Sequence, residues 1–124
     1  MTTFRAVVWM DHTQAHVLMF DREHVQAERI KTRSHHKHQG KDAHDPHFHP
    51  AIAAALSGMH EVLLAGPGAA RNEFRAWCTQ HQPLIAKTIV DSVAADHPTD
   101  AQMVALARQY FTRHDRMAGD PALS

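Results

Sequence analysis

Three short runs dense in β-forming residues, separated by polar turns, restrict the fold of this chain more than any other feature. Phe4 to Met10 carries Val7, Val8 and Trp9, with polar Arg5 only near its start. Ala15 to Phe20 has a similar character, and Val25 to Ile30 is more polar, with Gln26, Glu28 and Arg29. Asp11-His12-Thr13-Gln14 and Asp21-Arg22-Glu23-His24 separate the runs. Links this short join antiparallel neighbours, so the runs predict a three-stranded meander. The first run, apolar almost throughout, is expected to be covered on both faces. The polarity of the third suits an edge.

Beyond residue 49 the apolar period changes. Ile52, Ala55, Leu56 and Met59 fall at i, i+3, i+4 and i+7, which predicts a short helix starting at Pro50 with Gly58 near its end. Val62 to Ala65 reads as a buried strand that runs into Gly66-Pro67-Gly68. A helix from about Ala69 to His81 follows, with Ala70, Phe74, Trp77 and Cys78 inward, and Ile85 to Val90 reads as the fifth strand. Thr99 and Gln102 form a capping box for a last helix carrying Met103, Leu106, Ala107, Tyr110 and Phe111. Trp9, Trp77, Tyr110 and Phe111 are expected in the core.

This order, βββαβαβα, with right-handed crossovers, predicts an α/β fold: a five-stranded mixed sheet ordered 3-2-1-4-5 with helices on both faces, the ribonuclease-H-like layout. A chain of 124 residues with 44% hydrophobic content supports one core. Residues 1–117 are therefore expected to form a single domain, and 118–124 a frayed tail.

Lys plus Arg is 13 and Asp plus Glu is 13, so any preference for polyanions has to come from local clustering. That clustering lies in Lys31 to His49, which has no apolar periodicity and is expected to be a long, flexible loop. It holds Lys31, Arg33, Lys37 and Lys41 against Asp42 and Asp45. It also holds His35, His36, His38, His44, His47 and His49, out of 13 histidines in the chain. A basic excess suits phosphate contact, and imidazoles can stack on bases. Lys31, Arg33, Lys37, His38, Gln39, Gly40 and Lys41 are accordingly the candidate nucleic-acid-binding residues.

The same stretch admits a metal reading. His36 and His38, and His47 and His49, form His-x-His pairs that could place two imidazoles on zinc or another divalent transition metal, with Asp42 or Asp45 adding an oxygen. A metal-buffering protein is the alternative function; no cofactor is otherwise required. Two-metal nuclease chemistry is not expected, because Asp11 and Asp91 end separate strands and no set of three carboxylates emerges. Gly66-Pro67-Gly68 opens a helix whose free N–H groups could hold a phosphate, but a turn needing glycine explains it as well. Cys78, the lone cysteine, lies on an inward stripe and reads as a buried, inert thiol. With no secretion leader and no apolar run long enough to cross a bilayer, the expectation is a cytoplasmic protein with no membrane partner.

Val62-Leu63-Leu64-Ala65-Gly66-Pro67-Gly68, with Phe74 following, resembles a signature in the central domain of the archaeo-eukaryotic peptide-chain release factor and Pelota family. The order of elements is similar to that domain from about Phe4 to Met117. As one such domain, the chain looks like the stand-alone bacterial "translational machinery protein" type. The resemblance implies a translation-associated protein that binds the ribosome or tRNA. In the release factors the loop after the early strands carries a Gly-Gly-Gln tripeptide that reaches the peptidyl-transferase centre. Here that loop reads Lys37-His38-Gln39-Gly40-Lys41, so Gln39 is the candidate catalytic residue for peptidyl-tRNA hydrolysis. It lacks the two preceding glycines. The resemblance therefore implies rescue or protection rather than codon-dependent release.

Overall fold

A computed structural model describes residues 5–32 and 46–117. Its elements run β1 (Arg5–Met10), β2 (Gln14–Phe20), β3 (Val25–Lys31), α1 (Phe48–Ala55), β4 (Glu61–Gly66), α2 (Ala70–His81), α3 (Pro83–Thr88), β5 (Ile89–Ala94) and α4 (Asp100–Met117). The five strands form one sheet in the order β3-β2-β1-β4-β5, as the sequence predicts. β1, β2 and β3 are antiparallel in sequence; β4 lies parallel to β1, and β5 parallel to β4.

Both meander turns are built on an aspartate. Asp11 Oδ1 accepts the Thr13 N–H at 2.8 Å, the Thr13 hydroxyl at 2.9 Å and the Gln14 N–H at 2.9 Å. Asp21 Oδ1 accepts the Glu23 and His24 N–H groups at 2.8 and 2.7 Å. A short carboxylate that bonds its own backbone two and three residues on substitutes for a backbone turn. Burial disfavours the Asp11 charge, but the Thr13 and Gln14 donors outweigh it and hold the carboxyl below its ordinary range.

Alternating residues of the central strands feed two cores. Ala6, Val8, Met10, Val17, Val62 and Leu64 pack with Phe48, Ile52, Leu56, Phe74 and Cys78 of the α1–α2 side. Val7, Trp9, Leu18, Phe20, Leu63 and Ala65 pack with Met103, Val104, Ala107 and Phe111 of α4. The sheet is thus covered on both faces, which is why β1 and β4 read as nearly unbroken apolar runs.

Three local expectations are corrected. The first helix begins at Phe48, not Pro50. Phe48 is buried and extends the face of Ile52 and Leu56 one turn upstream, while Pro50 sits within the first turn, where a missing N–H costs nothing. The fifth strand begins at Ile89, not Ile85, because residues 83–88 form α3, started by Pro83 at its first position. β5 continues through Asp91 and Ser92 to Ala94, with a register shift where Val62 gives way to Leu63; being an edge, it tolerates those polar residues. On α4, Val104 is buried and Leu106 exposed, while Trp77 and Tyr110 are half-buried. Thr99 and Gln102 do form the capping box: the Gln102 N–H donates to Thr99 Oγ1 at 3.1 Å and the Thr99 N–H to Gln102 Oε1 at 2.8 Å.

Candidate nucleic-acid interface at one edge of the sheet

The parallel strands β1, β4 and β5 all end at one edge of the sheet, the edge at which open α/β sheets bind their ligands. The Asp11–Gln14 turn, the Gly66-Pro67-Gly68 turn and the segment leading into α4 lie there. So does the end of β3, where exposed Lys31 stands opposite Gln14. The basic, histidine-rich stretch leaves β3 at this edge and rejoins the described chain just before α1. Of the sequence-derived candidates, Arg33, His36, Lys37, His38, Gln39, Gly40 and Lys41 lie outside the described residues, as do Asp42 and Asp45. His47 and His49 are described. His47 is exposed at the start of α1, whereas His49 is half-buried, its ring 5.5 Å from Phe74 and 5.8 Å from Trp77.

Further histidines gather at this edge that sequence reasoning passed over. His12 Nε2 lies 3.2 Å from Glu73 Oε1, both exposed, beside a small cleft bounded by Asp11, Thr32, Phe48 and His49. On the α4 side, Trp9 Nε1 donates to the Asp96 carbonyl at 2.6 Å, and the His97 ring lies tilted against the Trp9 ring, with centroids 4.4 Å apart. His16 lies between Gln14 Oε1 and Asp100 Oδ1, each at 3.3 Å, and Arg29 reaches Asp100 at 3.6 Å. The available signals were positional: His12 falls just after a strand end, and His97 just before the Thr99 cap. Composition drew attention to the loop instead.

Gly66 explains the glycine turn. It has φ +142°, and a Cβ there would lie 2.1 Å from the Met10 carbonyl oxygen. The turn is therefore a close backbone approach of β4 to β1. Glu73 in the first turn of α2 adds negative charge where a phosphate would have to sit. Arg71 ties the turn down, donating to the Gly66 carbonyl at 2.9 Å and to Ser92 Oγ at 2.6 Å.

At the opposite edge, Glu61, His114 and Asp115 form the group of three potential metal ligands found among the described residues. Arg5 already occupies it. Its Nε donates to Glu61 Oε1 at 2.6 Å, and its Nη2 donates to Asp115 Oδ1 and Oδ2 at 2.7 and 2.6 Å. This is an ion-pair network holding the start of β1 to β4 and to the end of α4. Cys78 is fully buried, and desolvation pushes its thiol up to about 11, which makes it inert. Among the described residues, no helix is long and apolar enough to cross a membrane.

No protein-family model matches the chain, and no curated protein matches it. Solved structures do. Pelota from Archaeoglobus fulgidus superposes with a TM-score of 0.64 at 15% identity, covering 88% of this chain and 32% of that one. Pelota from Thermoplasma acidophilum gives 0.60 at 23% identity, covering 83% and 31%. The fold is Pelota-like. An archaeal translation termination factor shares it, with a TM-score of 0.58 at 14% identity over 94% of this chain and 42% of its own. The chain spans about a third of the length of the two Pelota proteins, so the Pelota-like fold corresponds to one portion of them. At these identities the likeness lies in the arrangement of strands and helices, the part that the β1–β4 and α4 packing determines.

Proposed function

We propose that this domain acts in translation as a ribosome- or tRNA-binding protein, with a rescue or protection role. The observation that carries the reading is the convergence of a Pelota-like fold with a basic, histidine-rich segment that leaves β3 where the parallel strands β1, β4 and β5 end. One protein of this fold is a translation termination factor, and a yeast protein matched at a TM-score of 0.52 is a translation termination-like factor involved in RNA quality control pathways. Lys31, Arg33, Lys37, His38, Gln39, Gly40 and Lys41 are the proposed contacts. Cationic side chains neutralise phosphates and release counterions, and imidazoles add stacking and, below neutrality, charge. Hydrolysis is not part of the proposal. Lys37 and His38 stand where the release-factor loop has glycines, and their Cβ atoms close the conformations that glycine allows.

The test is binding to a fluorescent structured RNA at two pH values. Imidazoles with a reference pKa near ~6.5 gain charge between about pH 7 and pH 5.5. Affinity is therefore expected to rise on acidification, and the salt dependence to steepen with each added phosphate contact. Replacing His35, His36 and His38 with Gln should flatten the pH response and leave the neutral-pH affinity within a few-fold. An unchanged affinity across that interval, or a triple variant that titrates like the parent, would exclude histidine charge as the mechanism.

A further inference from the structure

β3 is an outermost strand, and among the described residues no strand pairs with its outer side. The direction of its backbone groups follows from its pairing with β2. The Asp21 N–H donates to the His24 carbonyl and the Thr32 N–H to the Thr13 carbonyl. Hydrogen-bonded pairs alternate along an antiparallel ladder. With Met19 opposite Gln26, Val17 opposite Glu28 and Ala15 opposite Ile30, those three β3 residues turn their amides toward β2. Val25, Ala27, Arg29 and Lys31 turn theirs outward.

Natural edge strands are commonly blunted by charged side chains, a bulge, a proline, a covering loop or short length, and of these β3 carries the charges of Glu28, Arg29 and Lys31. β3 has seven residues in unbroken register with β2, no proline, and exposed side chains from Val25 to Arg29, with Val25 at 50% exposure. Its charges restrict which partner register is open. We infer that β3 pairs antiparallel with β3 of a second copy of this chain about a two-fold axis at Ala27, joining two five-stranded sheets into one.

A two-fold axis normal to the sheet puts one residue opposite itself, because opposed residues share a face. Centring on Glu28 or Arg29 sets like charges face to face, which is destabilising. Centring on Gln26 leaves only a short overlap. Centring on Ala27 places Val25 opposite Arg29 and Gln26 opposite Glu28, and brings Glu23 opposite Lys31 at both ends. That register hydrogen-bonds the outward amides of Val25, Ala27 and Arg29, and opposes no like charges. The inference is independent of the ribosomal reading.

Sedimentation of the full chain tests it. The parent is expected to shift from monomer to dimer between about 10 and 500 μM, since self-association depends on concentration. Ala27→Pro removes an outward N–H and leaves the β2 ladder intact, so it should stay monomeric with an unchanged circular dichroism spectrum. Ala27→Cys places two thiols across the axis at a spacing a disulfide can bridge. It should cross-link on mild oxidation much faster than Arg22→Cys in the neighbouring turn. A parent that is monomeric throughout, a dimer that survives Ala27→Pro, or equal cross-linking at the two cysteine positions would overturn the proposal.

Discussion

Gly66→Ala is expected to cost about 2–5 kcal/mol of folding stability, adding the strain of a positive φ to that of an overpacked contact. The added methyl would sit 2.1 Å from the Met10 carbonyl oxygen and 3.1 Å from the Met10 carbonyl carbon. Both atoms belong to β1, which pairs with β2 on one side and β4 on the other. They cannot retreat without loosening the centre of the sheet. Gly68 provides the control within the same turn. It also has positive φ, +65°, but a Cβ there meets nothing within 4 Å. Gly68→Ala should therefore lose only about 1–2 kcal/mol, the price of left-handed backbone alone. Urea unfolding of the two variants measures the difference. Equal losses would mean that backbone conformation, and not the approach of β4 to β1, accounts for the glycine turn.

Asp115→Ala is expected to cost about 3 kcal/mol, toward the lower end for breaking a buried ion pair because the Arg5 side chain keeps some solvent contact. The loss arises on the surviving partner. Asp115 binds Arg5 through both oxygens, so the substitution removes both of these charge-assisted bonds to Arg5 Nη2. Arg5→Met should cost a similar amount by stranding buried Asp115. The double variant Arg5→Met/Asp115→Leu should recover most of the loss, because apolar replacement of a whole buried pair is often neutral or better. Two single variants that each cost less than about 0.5 kcal/mol would place this network with ordinary surface salt bridges. Added zinc should leave the parent's unfolding midpoint unchanged if Arg5 fills the Glu61–His114–Asp115 group.

The strand order was legible because its determinants are local. Two aspartate-led turns forced the meander, and the apolar density of β1 and β4 marked them as central strands. The Thr99–Gln102 box set the start of α4 through side-chain chemistry readable within four residues. What was missed depended on tertiary context. α3 is only six residues long and carries no fully buried residue, only the partly buried Ile85 and Ala86, so it is too short for a helical period to show. β5 keeps Asp91 and Ser92 within a strand because it is an edge and because Asp91 accepts the hydroxyl of Tyr110, on α4, at 3.1 Å. Phe48 looked like part of a polar loop until Ile52 and Leu56 gave it a face to share. At the candidate interface, the loop's histidines stood out by composition. His12, His16 and His97 became neighbours of that edge only once the sheet brought residues far apart in sequence together.

Co-sedimentation with purified ribosomes, with and without a chelator, measures the proposed ribosome binding. The protein is expected to pellet with ribosomes at low salt and to be released progressively by added salt, as phosphate contacts require. A chelator selective for transition metals, used with magnesium in excess, should have no effect, and replacing Lys31, Arg33, Lys37 and Lys41 together with Gln should leave the folded protein in the supernatant. Protein that remains in the supernatant at low salt would contradict ribosome binding through these cations, as would pelleting that the chelator abolishes and the four-residue variant does not change.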